Sequence, residues 1–211
     1  MPPDEPQPST VFVVEDDPDA REALVFHLTA MGHRVRAFGA AEPFLAALDP
    51  ATEGCLVCDV YLPGMDGLAL ITELTKRASR LPVVVVTGYA DVALAVRAMK
   101  MGAVDFLEKP FAQGAIAETV QRALEGAREA ASLKHETEAA AALIATLSRR
   151  EREVFDGLVA GKLGKQIAHE LGISPRTVEV YRASAMERLG ARTLSDLVRL
   201  GILVALHGSV P

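Results

Sequence analysis

The run VVVVT at Val83–Thr87 carries no polar side chain until its last residue. A strand with one wet face alternates apolar and polar residues, so an unbroken apolar run marks a strand covered on both faces, the condition of parallel sheets. Four more short runs are rich in apolar residues: Val11–Val14, His33–Phe38, Cys55–Asp59 and Ala103–Leu107. Each reads as a strand. The segments between them carry helical periodicity. Leu24, Phe26 and Leu28 recur within Ala20–Met31, then Leu68, Ile71 and Leu74, then Val92, Val96 and Met99. Strand–helix alternation repeated five times predicts an α/β doubly wound, five-stranded parallel sheet with helices on both faces. In such sheets functional groups gather just beyond the carboxyl ends of the strands.

The rest of the chain changes character. From Phe111 to about Thr146, Ala, Glu, Arg and Leu dominate around a single glycine, Gly126, and predict one long helix or two consecutive ones. No a/d heptad of large residues is sustained, so an exposed connecting helix is favoured over a coiled coil. Four helix signatures follow. Ser148 and Glu151 form a capping box for a helix reaching about Ala160 and closed by Gly161, and Gly164–Leu171 is a short helix ending at Gly172. Ser174 and Pro175 open a longer helix that runs to about Leu189 before Gly190, and Thr193 with Asp196 starts the last, Leu194–Leu206. The tight turn between the second and third gives the proportions of a helix-turn-helix within an all-α four-helix domain. The expected division is 9–126 for the α/β domain, 127–146 for a helical linker and 147–208 for the helical domain.

Composition narrows the classes. Over 211 residues, 50% apolar and 24% charged positions describe a core-forming chain and exclude a disordered or collagen-like one. The net charge of −6 divides into −8 over residues 1–126, −1 over 127–147 and +3 over 148–211, which makes the basic end the candidate for nucleic acid. No stretch approaches the roughly 18 unbroken apolar residues of a membrane helix, and Met1–Thr10 is Pro-rich and acidic, so a cytoplasmic protein without membrane contact is expected. Two cysteines exclude a disulfide scaffold and a four-cysteine zinc site. Cys55 and Cys58 have redox-motif spacing, but strand positions i and i+3 face opposite ways, so both read as core. His27, His33, His135, His169 and His207 have no ligand spacing.

The predicted strand ends are chemically distinctive. Glu15 and Asp16 follow the first, Asp59 ends the third, Thr87 ends the fourth and Lys109 follows the fifth. Carboxylates sharing a pocket repel one another unless a cation neutralises them, and hard oxygen ligands favour Mg²⁺. A nucleophilic carboxylate, a metal, an ammonium and a hydroxyl together suit formation of an aspartyl phosphate. Taken singly, Asp16 and Asp17 before Pro18 would serve as helix caps, Asp59 as a turn and Lys109-Pro110 as a loop; their joint occurrence is what argues for chemistry. A dehalogenase-type phosphohydrolase needs a second aspartate two residues after the nucleophile, where this chain has Tyr61.

Four ordered motifs, Glu15-Asp16-Asp17, Asp59 to Gly67, Val86-Thr87-Gly88 and Glu108-Lys109-Pro110-Phe111, resemble the receiver domains of two-component response regulators over residues 11–125. The resemblance implies a flavodoxin-like fold and makes Asp59 the phosphoacceptor. It makes Asp16 the main Mg²⁺ ligand, with Glu15 acting through water and Tyr61 lending its backbone carbonyl. It also implies that Thr87 and Lys109 bind the phosphoryl group, that Phe106 turns inward as part of the switch, and it allows a cis Lys109–Pro110 bond. Glu15 departs from the aspartate commonest at its position.

The segment from Leu147 to about residue 205 resembles the LuxR-type helix-turn-helix, through Leu147 to Val154, Lys165-Gln166-Ile167-Ala168 and Ile173 to Arg182, with Tyr181 where that family often has histidine. Across its full length the chain is similar to the FixJ group of response regulators. At 100° per residue Val178, Tyr181, Ala185 and Leu189 form one stripe, suited to packing on the preceding helices. Arg176, Glu179, Val180 and Ala183 lie opposite, facing a major groove. Glu179 suits cytosine N4 and Val180 a thymine methyl, whereas Arg176, Thr177, Arg182 and Lys165 suit phosphates, with Ser174 at the same helix start. Glu179 reads equally as an ion-pair partner of Arg182 or Arg176. The expectation is a transcriptional regulator rather than an enzyme, assisting only its own aspartyl phosphorylation and dephosphorylation. Its partners would be a sensor histidine kinase, promoter DNA, RNA polymerase and, once phosphorylated, a second copy of itself. A protein-binding regulator and an aspartate-dependent phosphohydrolase are the competing readings.

Overall fold

A computed structural model describes residues 9–49, 52–89, 91–112 and 114–208; residues 1–8, most of the acidic Pro-rich start, lie outside them. The chain divides into two compact units at Glu129/Ala130.

The first unit alternates strand and helix: β1 Thr10–Val14, α1 Pro18–Ala30, β2 Arg34–Phe38, α2 Ala41–Ala46, β3 Cys55–Asp59, α3 Gly67–Lys76, β4 Val83–Thr87, α4 Val92–Lys100 and β5 Asp105–Glu108. All pairings are parallel, in the order β2-β1-β3-β4-β5. The four valines of β4 are buried and alternate between two cores. Val83 and Val85 join Phe12, Val14, Leu56 and Cys58 on one face, with Phe44, Leu70, Ile71 and Ala98 from α2, α3 and α4. Val84 and Val86 join Val11, Val13, Cys55 and Val57 on the other, with Leu24 and Leu28 of α1 and Ile116, Val120 and Leu124 further on. Each such valine contributes about 1.5–3 kcal/mol of burial. The two cysteines fall in opposite cores, as strand geometry demands. Burial raises the Cys55 thiol to about 12 and the Cys58 thiol likewise upward, so neither is a ready thiolate.

Three expectations fail in detail. Leu24 and Leu28 are buried, but Phe26 is 70% exposed, because residues two apart on a helix point about 200° from each other. Val92, Val96 and Met99 do share a face of α4, yet that face is exposed, and Ala98 is the buried residue there. The fifth strand starts at Asp105 rather than Ala103, since Ala103 N still donates to Ala98 O at the end of α4.

One continuous helix, α5 Ala115–Ala145, follows the sheet. It is not simply an exposed connector, because Thr137, Ala140 and Ile144 are buried and Ile144 packs with Phe155, Leu189 and Leu197 of the second unit. That unit continues with α6 Arg149–Val159, α7 Gly164–Leu171, α8 Pro175–Arg188 and α9 Leu194–His207. Capping boxes at Ser148/Glu151 and Thr193/Asp196 start α6 and α9. Gly172, with φ of 65°, takes the left-handed conformation that ends α7 and lets α8 begin three residues later, at Pro175.

Candidate functional site

Parallel pairing alone brings the ends of β1, β3, β4 and β5 to one edge of the sheet, and with them Glu15, Asp16, Asp59, Thr87 and Lys109. Carboxylate oxygens of Glu15, Asp16 and Asp59 lie within 4.8 Å of one another. Glu15 and Asp59 are buried and Asp16 is exposed. Asp17, not Asp16, caps α1, its side chain accepting from Ala20 N at 2.8 Å, which leaves Asp16 to the pocket. Lys109 Nζ donates to Glu15 Oε2 at 2.5 Å and to Asp59 Oδ2 at 2.7 Å. Asp59 Oδ1 accepts from Tyr61 N at 3.1 Å. Thr87 is fully buried, and its Oγ1 accepts from Tyr89 N at 3.3 Å. Phe106 packs half-buried against the core of the α3 and α4 face. The Lys109–Pro110 peptide is cis.

Burial raises the pKa of Glu15; the hydrogen bond and charge of Lys109 oppose that rise, and the charges of Asp59 and Asp16 add to it. Burial likewise works against the Lys109 charge, but hydrogen bonds to Asp59 and Glu15 and their charges outweigh it and raise its pKa. Three carboxylates facing one ammonium leave negative charge in excess, on hard oxygen donors. Such a set fits a small divalent cation.

Arg21 and Glu42 support the site and escaped the sequence reading. Arg21 on α1 donates to the carbonyls of Glu15 and Asp16 at 2.7 and 3.1 Å and so fixes the acidic turn. Glu42 on α2 accepts from Met65 N at 3.0 Å, tying down the loop after Asp59 from 23 positions away, a distance no local pattern reveals. Gly67 is required by contact: a Cβ there would stand 2.2 Å from Asp59 O. Tyr61 and Tyr89 make an edge-to-face ring pair with centroids 6.0 Å apart. Their wide spacing in sequence gave no sign of it.

In the second unit, Val178, Ala185 and Leu189 are buried and Tyr181 half-buried, so the predicted packing stripe of α8 is the observed one. Arg176, Glu179, Ala183 and Val180, the last 61% exposed, face solvent, as does Lys165 on α7. Ser174 caps α8 by accepting from Thr177 N at 3.1 Å, and the two hydroxyls lie 2.8 Å apart. Of the two partners considered for Glu179, Arg182 takes it, at 3.1 Å. Glu151 does more than close its capping box: Oε1 accepts from Ser184 Oγ at 2.5 Å and Arg188 Nε at 3.1 Å, both on α8.

Comparison with known proteins gives the class. Residues 11–121 match the response regulator receiver domain, and residues 145–200 match the bacterial regulatory proteins of the luxR family. The chain therefore belongs to the response regulators, as a receiver domain followed by a LuxR-family domain. It is similar to the transcriptional regulatory protein FixJ of Bradyrhizobium diazoefficiens, 45% identical over 192 residues, 91% of this chain and 94% of that protein. FixJ of Rhizobium meliloti is 42% identical, over 92% of this chain and 95% of its own length. Among solved structures, full-length FixJ from B. japonicum matches with a TM-score of 0.60 at 43% identity, covering 94% of this chain and 98% of that one. The response regulator StyR matches with a TM-score of 0.76 at 38% identity, covering 92% and 98%.

Proposed function

We propose that the chain is the output component of a two-component system, taking a phosphoryl group on Asp59 and regulating transcription through its LuxR-type helices. The observation that carries this reading is Lys109 Nζ held between Glu15 and Asp59, with Thr87 ending the adjacent strand. In the transfer an Asp59 oxygen forms a bond to phosphorus while the bond from phosphorus to the donor breaks. The donor, a phosphohistidine of a sensor kinase or a small acyl phosphate, leaves with the electron pair. Lys109 pairs with the acyl phosphate and the Thr87 hydroxyl binds its oxygens. Glu15, Asp16, Asp59 and the Tyr61 carbonyl would hold Mg²⁺, which when bound neutralises charge on the transferring group. The chain assists only this modification and its reversal and turns over no other substrate.

The working boundaries are 9–126 for the receiver, 127–146 for the linker and 147–208 for the DNA-binding domain. On α8, Glu179 and Val180 read bases, with Ala183 beside them and Ser174 at the helix start, while Arg176, Thr177 and Arg182, with Lys165 of α7, hold phosphates. Promoter DNA, a sensor histidine kinase, RNA polymerase and a second phosphorylated copy are the partners, and the cytoplasm is the compartment. Among the described residues no helix is long and apolar enough to cross a membrane. The test is incubation of the full chain with acetyl phosphate and Mg²⁺, read by intact mass and by selection from random duplex DNA. A gain of about 80 Da together with an enriched sequence supports the reading. No gain, or turnover of a phosphate ester at catalytic protein levels, overturns it.

A further inference from the structure

The apolar face of α8 is narrow: Val178 and Ala185 are buried, as is Leu189 at its C-terminal end, with Tyr181 and Met186 only half-buried. Apolar contact is non-directional, so such a seam by itself leaves the rotation of the helix about its axis loosely set. Rotation matters here. With side chains reaching about 5–6 Å from the axis, a 10° turn moves their tips by about 1 Å, enough to take a base contact out of the hydrogen-bonding range of roughly 2.7–3.2 Å.

Among the described residues, the side-chain hydrogen bonds that reach α8 from another helix come from one residue. Glu151 on α6 is 4% exposed, and Oε1 takes hydrogen bonds from Ser184 Oγ at 2.5 Å and Arg188 Nε at 3.1 Å. Its other oxygen accepts from Ser148 N at 2.7 Å, which fixes the carboxylate to the start of α6. Ser184 and Arg188 are four residues apart and therefore share one flank of α8, between the buried stripe and the exposed one that holds Arg176, Val180 and Ala183. A bond on that flank resists rotation in either sense. Both oxygens of the Glu151 carboxylate are used, Oε1 by Ser184 and Arg188 and Oε2 by Ser148, and a buried ionic group with its acceptors filled holds one defined geometry rather than a loose one.

We infer that Glu151 is a positioning residue for DNA reading: through Ser184 and Arg188 it sets the rotation of α8, and so the aim of Glu179 and Val180 at the bases. The inference rests on the reading of α8 as the recognition helix. It also separates two jobs in one side chain. The contacts with Ser148 start α6 and serve stability alone, whereas those with Ser184 and Arg188 add selectivity to their share of stability.

The separation supplies the test. Full-length Ser184→Ala, Arg188→Met, Glu151→Gln and Ser148→Ala variants, with and without acetyl phosphate and Mg²⁺, are titrated against a duplex enriched by the unsubstituted chain and against a scrambled duplex of equal length. Thermal unfolding of each is recorded alongside. Ser184→Ala and Arg188→Met are expected to lower the ratio of enriched to scrambled affinity about tenfold, the size of one lost base contact, with scrambled-duplex affinity of Ser184→Ala unchanged. Ser148→Ala is expected to lower the unfolding temperature and leave the ratio alone. Glu151→Gln should show both effects. An unchanged ratio in Ser184→Ala and Arg188→Met, or a ratio that follows unfolding temperature across all four variants, overturns the positioning role. If the unsubstituted chain enriches no sequence, the recognition-helix assignment itself falls, and the inference with it.

Discussion

At Asp59, charge and close packing meet. Both oxygens of Asp59 accept, from Lys109 Nζ and from the Tyr61 amide, so an amide in its place keeps the size of the side chain but loses one acceptor and the nucleophile. Asp59→Asn is expected to abolish the phosphoryl mass gain; a labile acyl phosphate persisting in that variant would show another acceptor. Gly67→Ala forces a Cβ against Asp59 O and the Asp59–Val60 backbone, which cannot readily yield, and is expected to cost about 1–3 kcal/mol, seen as a lower urea midpoint. Glu151 supplies a pH dependence. Hydrogen bonds from Ser184 and Ser148, then the charge of Arg188, hold its pKa at about 2, against an ordinary value of 4.5. A depressed carboxylate stabilises the fold above its unfolded pKa and loses that contribution as pH falls through its folded one. Glu153, held down by Arg149, and Asp196, held down by the Thr193 cap, act with the same sign. Unfolding temperature should therefore decline from about pH 4.5 towards 2, and Glu151→Gln should flatten the decline without removing it. An equal slope in the variant would place the titrating group elsewhere.

Elements were legible where local chemistry announces them. Caps, glycines and unbroken valine runs gave the order of strands and helices, and four short motifs at strand ends gave the pocket, because parallel topology converts chain order into proximity. What stayed hidden was set by tertiary partners. Phe26 and the α4 stripe are apolar without being buried, since periodicity reports which residues share a face and not which face is covered. Arg21, Glu42 and the Ser184–Glu151 bond act across loops and helices, beyond any fixed spacing. On α8 the stripe is legible, but the role of each exposed residue is not, and the Glu179–Arg182 pair sharpens the question. An ion pair at an exposed site is worth only about 0–1 kcal/mol, little enough for Glu179 to be drawn to a cytosine instead. Binding-site selection with Glu179→Ala and Val180→Ala should alter base preference at single positions, at about 1–3 kcal/mol each. Lys165→Ala should weaken all sites alike and reduce the salt slope by about one. Unchanged preferences in the first two, or a shift confined to Lys165→Ala, would put the reading face on the other side of the helix.

For the whole molecule, the question is how one phosphoryl group at a strand end is felt on a surface. Thr87 and Phe106 sit on neighbouring strands, and α4, between β4 and β5 in the chain, presents Val92, Val96 and Met99 to solvent, Val92 at 82% exposure. Three apolar residues at i, i+4 and i+7 on an uncovered face carry a cost in water that a second copy of the same face would relieve, and a two-fold pairing makes the contact self-complementary. Phosphorylation drives such pairing only if it favours one conformer: a shift from 1:99 to 99:1 needs about 5.5 kcal/mol of differential stabilisation. On the proposed reading, new contacts of the phosphoryl oxygens with Thr87 and Lys109 would be the source, with Phe106 on the neighbouring strand turning in response. Sedimentation velocity should accordingly show a monomer that becomes a dimer on treatment with acetyl phosphate and Mg²⁺. Val96→Asp should remain monomeric while keeping the mass gain, which separates assembly from chemistry. The dimer should select two-fold half-sites about 10 base pairs apart, and Val96→Asp should bind a single half-site with the same base preference. An unchanged sedimentation coefficient on full phosphorylation, or a Val96→Asp chain that still dimerises, would show that the exposed face of α4 is not the surface through which the receiver acts.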